Sequence, residues 1–176
     1  MSLIIRAAAL ATRAHEGQFR KNSSFPYITH PARVAGLVGI LPGATEEMVA
    51  AAYLHDVIED TAVSKDEIER ETNAQVAFYV DCMTNRSKGG QLSREQRKKM
   101  DRERLATIPV EVKKIKLLDR IDNLREMTDY TSGFKALYAS ESLLLLEAIG
   151  DGDPDLAKML QGIAERMRAE EAGMQG

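Results

Sequence analysis

The stretch Ala51-Ala52-Tyr53-Leu54-His55-Asp56-Val57-Ile58-Glu59-Asp60-Thr61 sets four polar groups into an apolar run. Adjacent residues of a helix point about 100° apart, so His55 and Asp56 can both lean toward one ion. Glu59 and Asp60, one turn further on, repeat those two directions, and the turn offers two metal ligands and two acid/base groups. Val49, Ala50, Ala51, Ala52, Leu54, Val57 and Ile58 predict a helix buried on most sides, where an unpaired carboxylate is costly. A bound cation would remove that cost. The plainer alternative is a wet acidic face with one satisfied core histidine, and for an isolated His-Asp pair that alternative carries most of the weight. Two further clusters change the balance. Of the three histidines, His15, His30 and His55, the last two are ligand candidates, and Asp119 shares a helix face with Asn123 at i and i+4 as a closing carboxylate. Taken alone, Asp119 is as well explained by an intrahelical pair with Lys116 or Asn123.

The elements that must position these groups are all helical. Apolar residues at 3, 4, 7, 8, 10, 11 and 14 predict a first amphipathic helix that Gly17 stops. Gln18 to Thr29 reads as a loop, and Pro31 opens a helix through Leu41, placing His30 at a helix N-terminus. After Pro42-Gly43, Thr45 with Glu46 and Glu47 starts the central helix, which runs to about Asp60. Ser64 to Glu67 and Ser93 to Gln96 are capping boxes, and Asn73 caps a helix between them. Arg86 to Gln91 reads as a loop, Pro109 starts a helix to about Met127, and helices over Phe134–Ile149 and Pro154–Met167 complete the set. The expectation is an all-α bundle of about eight or nine helices in one domain over 1–176, with a frayed polar tail at about 169–176.

Composition narrows the function. A hydrophobic fraction of 44% and a charged fraction of 29% are those of an ordinary globular chain, and no apolar run is long enough to cross a bilayer. The N-terminus lacks the pattern of a secretory signal, and the single cysteine, Cys82, excludes an internal disulfide and any multi-cysteine zinc site. The single cysteine fits a cytoplasmic protein, no membrane partner is expected, and the net charge of −3 argues against a nucleic acid as partner. Between Arg86 and Arg104, eight Lys and Arg face three acids. That stretch is either a solvated helix face or a basic rim that draws in a highly anionic small molecule.

In order along the chain, three motifs resemble a known family. Ala14-His15-Glu16-Gly17-Gln18-Phe19-Arg20-Lys21 with Pro26-Tyr27-Ile28-Thr29-His30-Pro31 looks like the opening motif of the RelA/SpoT-type HD-domain hydrolases, in particular the small hydrolase-only members that degrade guanosine tetraphosphate. Leu54 to Thr61 is similar to their central motif and Lys116 to Arg125 to their third. The resemblance implies an HD fold in which His30, His55, Asp56 and Asp119 bind one manganese ion and Glu59 and Asp60 form the catalytic pair. It also implies that Arg20 and Lys21 hold substrate phosphates, and that Asn123 and Arg125 face the nucleoside. His15 is read as structural. The sequence departs from the pattern in three places: the turn Asn22-Ser23-Ser24-Phe25 is longer than in many members, Asp122 replaces the histidine of bifunctional members, and Asn85 follows Thr84 where lysine or aspartate is usual.

The residue types fit the implied chemistry. Two imidazoles with two carboxylates suit a divalent first-row ion, manganese or iron in preference to structural zinc. The expected reaction is removal of pyrophosphate from the 3′ position of guanosine 3′,5′-bis(diphosphate) or its pentaphosphate relative. Hydrolysis of another phosphorylated nucleotide and a non-catalytic nucleotide-sensing module are the rivals. The chain ends where a bifunctional member begins its synthetase domain, so synthesis is not expected. Homo-oligomerisation is left open.

Overall fold

The computed structural model describes residues 2–85 and 92–173; the loop read at 86–91 and the last three residues of the tail lie outside the described residues. The chain divides into two compact units, Met1–Asn85 and Arg86–Gly176. The first contains α1 (Leu3–Ala14), α2 (Thr29–Gly39), α3 (Glu46–Leu54), the single turn α4 (Val57–Asp60), α5 (Lys65–Glu71) and α6 (Ala74–Met83). The second contains α7 (Arg94–Leu105), α8 (Val110–Arg125), α9 (Ser132–Ile149) and α10 (Pro154–Gly173), with 3-10 turns at Met127–Asp129 and Gly150–Gly152. Nine helices of at least seven residues and one of four therefore account for the described residues, and the only β pairing among them is an isolated bridge between Phe19 and Pro26.

The helix starts follow from side chains that satisfy amides left over in the first turn. Thr45 accepts from the Met48 amide, Ser64 from Glu67, and Asn73 Oδ1 from Val76. Ser93 and Gln96 form a reciprocal capping box, and Asp153 Oδ1 accepts from Asp155 and Leu156. Each such cap contributes about 1 kcal/mol. Helix α2 begins two residues earlier than Pro31 suggested, because the preceding turn supplies its acceptors: the amides of Thr29 and His30 donate to the carbonyls of Pro26 and Tyr27, both at 3.1 Å. At the other end of the chain the polar tail does not fray at 169. Ala169, Glu170, Glu171 and Ala172 are good helix formers, and α10 runs through them to Gly173.

In the first unit α3 is the hub, packed by α1, α2 and α6. Ala50, Ala51 and Ala52 are all fully buried, so small side chains on every face let three neighbours approach at once. Leu10, Val34, Val38, Leu54, Ile68 and Met83 fill the remaining space. The central helix does not continue to Asp60 as expected. It stops at Leu54, Asp56 takes φ −104° and ψ −6°, and a fresh turn starts at Val57. The local cause is a hydrogen bond of 2.8 Å from the His55 ring to the carbonyl oxygen of Ala52, the acceptor that an uninterrupted helix offers to the Asp56 amide.

The second unit is built on α8, against which α9 and α10 pack. Val112, Ile115, Leu117, Leu118, Ile121 and Leu124 are buried along it, and Ile149, Leu156 and Leu160 are buried on α9 and α10. Arg94 ties α7 to α9 through a two-pronged pair with Glu141, at 2.6 and 2.9 Å, and its guanidinium lies over the Phe134 ring. Part of the basic stretch is therefore structural. Among the described residues no helix is long and apolar enough to cross a membrane.

Gly152 marks a point of close approach. Buried Lys113 reaches past it to Asp151, with Nζ–O distances of 2.7 and 2.8 Å, and a Cβ at Gly152 would stand 2.5 Å from that of Lys113. Gly152→Ala should destabilise the protein by about 1–3 kcal/mol in chemical denaturation. Gly162→Ala, in the middle of α10 where a Cβ meets only ordinary contact, should stabilise it by about 0.5–1 kcal/mol.

Candidate metal centre and active site

Three predicted ligands of the first unit come together. His30 is the second residue of α2, His55 caps α3 and Asp56 precedes α4. One ligand atom from each lies within 4.8 Å of the other two. His55 Nε2 is 3.0 Å and His30 Nε2 3.9 Å from Asp56 Oδ2, and the two rings meet edge to face with centroids 5.0 Å apart. Both imidazoles are buried, at 0% and 1% exposure.

The donor chemistry fits a divalent cation. A carbonyl can only accept, so the bond from the His55 ring to Ala52 places the proton on Nδ1 and turns the Nε2 lone pair toward Asp56. That is the tautomer a metal ligand needs. These three residues can therefore hold a metal ion, with imidazole and carboxylate donors suited to first-row divalent metals.

The helix break also redirects Glu59 and Asp60, which do not repeat the directions of His55 and Asp56 as a continuous helix would require. Glu59 turns to the end of α6, where its Oε1 accepts the backbone amide of Asn85 at 2.7 Å and its Oε2 the Asn85 side-chain amide at 3.2 Å. Asp60 is exposed and turns toward Tyr27. The Tyr27 hydroxyl donates to Asp56 Oδ2 at 2.6 Å and lies 3.4 Å from Asp60 Oδ2. Burial pushes the Tyr27 phenol well above its ordinary range, and the charge and hydrogen bond of Asp56, then the charge of Asp60, push the same way against Arg20. Tyr27 therefore stays protonated, a fixed donor to the Asp56 carboxylate.

Tyr27 is in turn held by its neighbours. The His15 ring packs on it with centroids 4.5 Å apart, and the Arg20 guanidinium lies 5.3 Å from the ring centre on a cation–π contact. His15 Nδ1 meets Gln18 Oε1 at 2.8 Å, while Gln18 Nε2 donates to the Asp60 carbonyl at 3.0 Å. His15 accordingly braces the site. Gln18, Tyr27 and Asn85 are the residues whose roles the sequence did not reveal. Tyr27 could have been found from its place three residues before His30, and Asn85 only from the fold.

The remaining predicted residues have other settings. Arg20 is half-buried and Lys21 exposed on the loop, where Asn22 takes a left-handed φ of 59°, a conformation asparagine tolerates. Asp119 belongs to the second unit, buried on α8, where Lys116 Nζ meets its Oδ2 at 2.8 Å and Asn123 Nδ2 donates to its Oδ1 at 2.6 Å. Both intrahelical partners weighed from the sequence are thus present. Arg125 is exposed, with Nη2 3.7 Å from the sulfur of Met159.

A family model described as HD domain matches residues 7–149. The chain belongs to the HD-domain family. Within that family it is a RelA/SpoT-type member. It is 35% identical over 130 residues to the human protein named guanosine-3′,5′-bis(diphosphate) 3′-pyrophosphohydrolase MESH1, covering 73% of this chain and 71% of the relative. It is 36% identical over 137 residues to a Haemophilus influenzae protein of the same enzymatic name, covering 76% of this chain. The chain spans only 20% of that relative's length. A solved structure described as a metazoan ortholog of SpoT that hydrolyzes ppGpp superposes with a TM-score of 0.83 at 25% identity, covering 94% of this chain and 96% of the other.

Removing the Tyr27 hydroxyl tests its hold on Asp56. Tyr27→Phe should keep the fold and weaken divalent-metal affinity by about 10–100-fold, measured by competition titration with Mn2+ and a chelating indicator.

Proposed function

We propose that the chain is a manganese-dependent hydrolase, one HD domain, that removes pyrophosphate from the 3′ position of guanosine 3′,5′-bis(diphosphate) or its pentaphosphate relative, giving GDP or GTP. The observation that carries this reading is the His30, His55 and Asp56 cluster with Glu59 and Asp60 held beside it. A binding module has no need of a proton-transfer pair at a metal site. The names of the relatives and the superposed structure support the substrate class, and the family match over 7–149 supports a single domain.

Held by His30, His55 and Asp56, a divalent ion would supply Lewis acidity at this site. Glu59 orients the attacking water and takes its proton, and the two donors of Asn85 fix the plane of its carboxylate for that task. Asp60, exposed at the end of α4, assists proton transfer toward the leaving oxygen. Tyr27 keeps Asp56 oriented, and Arg20 and Lys21 offer charge-assisted donors to the substrate's phosphates. The motif resemblance adds Asp119 as a fourth ligand and Asn123 and Arg125 as nucleoside contacts. A cytoplasmic setting follows from the same reading, with a small anionic nucleotide as the partner.

The deciding experiment is pyrophosphate release from guanosine tetraphosphate by metal-stripped protein, with and without added manganese. Turnover should require manganese and be lost in Asp56→Ala and Glu59→Ala. Stoichiometric metal binding without turnover would remove the substrate assignment. Asn85→Ala should still bind metal and should lower kcat about tenfold, the loss expected for one hydrogen bond to a charged group.

A further inference from the structure

From the hairpin-like loop that carries Arg20, we infer that Phe25 stacks on the nucleobase of the substrate. The inference rests on the hydrolase reading of the same site. Cross-strand contacts define the loop's register: the Tyr27 amide donates to the Gln18 carbonyl at 2.9 Å, Phe19 bridges Pro26, and the Arg20 amide donates to the Phe25 carbonyl at 3.0 Å. Paired residues of antiparallel segments share a face and neighbours alternate, so Gln18, Arg20, Phe25 and Tyr27 lie on one side and Phe19 on the other. Three of those four already turn to the site. Gln18 holds the Asp60 carbonyl, Tyr27 holds Asp56, and Arg20 lies over the Tyr27 ring.

Phe25 is the fourth, and its ring packs on no other ring among the described residues. It is 66% exposed, yet its backbone is pinned on both sides, the carbonyl by Arg20 and the amide by Ser23 Oγ at 3.1 Å. A following proline stiffens the position further. A rigidly presented aromatic ring directly across from a guanidinium, on the face of a metal site, has the chemistry of a purine nucleotide. The cation takes phosphate and the ring takes the flat face of the base. Stacking of this kind tolerates any base, so Phe25 contributes affinity for a nucleotide over a bare polyphosphate, and discrimination among bases is left to hydrogen bonds elsewhere.

Two readouts separate this inference from the hydrolase reading. Affinities for guanosine tetraphosphate and for inorganic pyrophosphate are measured by calorimetry in an Asp60→Asn background with manganese present, and kcat and KM are measured in the otherwise native chain. Phe25→Ala should weaken nucleotide binding about tenfold, within the range of one lost base stack, and leave pyrophosphate binding unchanged. KM should rise in parallel with little change in kcat. Phe25→Tyr should restore both, and Phe19→Ala, on the opposite face, should match the native chain. The inference is overturned if Phe25→Ala binds the nucleotide as tightly as its parent, if it loses pyrophosphate to the same extent, or if the parent binds no nucleotide. A native chain that releases no pyrophosphate, while the Asp60→Asn parent binds the nucleotide, sinks the hydrolase reading alone, and the Phe25 comparison then stands on binding.

Discussion

The hydrogen bond from His55 Nδ1 to the carbonyl of Ala52 is the contact on which the site depends. It fixes the imidazole tautomer with Nε2 toward Asp56, and it engages a helix acceptor at the point where α3 gives way to α4. Without the break, Glu59 and Asp60 would follow His55 and Asp56 around the same faces and compete for the same space. With it, the ligands converge, Glu59 is delivered to Asn85 and Asp60 to Tyr27. One side chain thus sends the carboxylate of Asp56 and those of Glu59 and Asp60 to different partners within six residues of chain.

That arrangement is stable because the hub helix is made of alanines. Three successive fully buried alanines allow α1, α2 and α6 to close around α3, so the His55 ring sits in a packed interior and not in a flexible cleft. Burial makes each polar group there costly unless it is engaged. The consequences are visible in the site: a phenol that donates to Asp56, a carboxylate gripped by two donors from Asn85, and a histidine that braces Tyr27 and meets Gln18. Positioning of this kind is the main contribution a protein can make to phosphoryl chemistry, where correct geometry lowers the barrier more than covalent participation does.

The second unit shows the same principle in a different balance. Asp119 is buried and both its oxygens have partners on its own helix, Lys116 and Asn123, which holds the carboxylate in one rotamer. An ion pair this buried is weak evidence for stability, since desolvation offsets most of the attraction; its clearer effect is to fix orientation. Arg94 is similar: in sequence it belongs to a basic stretch, but its charge is spent on Glu141 and the face of Phe134.

Much of this was legible in the sequence. Helix caps at Thr45, Ser64, Asn73 and Ser93, the apolar periodicity and the residue types of His30, His55 and Asp56 rest on local chemistry, and local chemistry is what a sequence determines. The fate of α3 was not legible, because a histidine's ring competes with an amide only when burial denies it water. Nor were the partners of Glu59 and Tyr27, which come from residues 26 and 29 positions away, and no periodicity relates such positions. Caps and apolar periodicity decided that the chain would be helical, and residue type set His55 and Asp56, a pair able to hold a cation, near the end of its central helix. Only the tertiary structure decided which way each polar group turns, because that depends on which distant donor or acceptor the packing brings within reach.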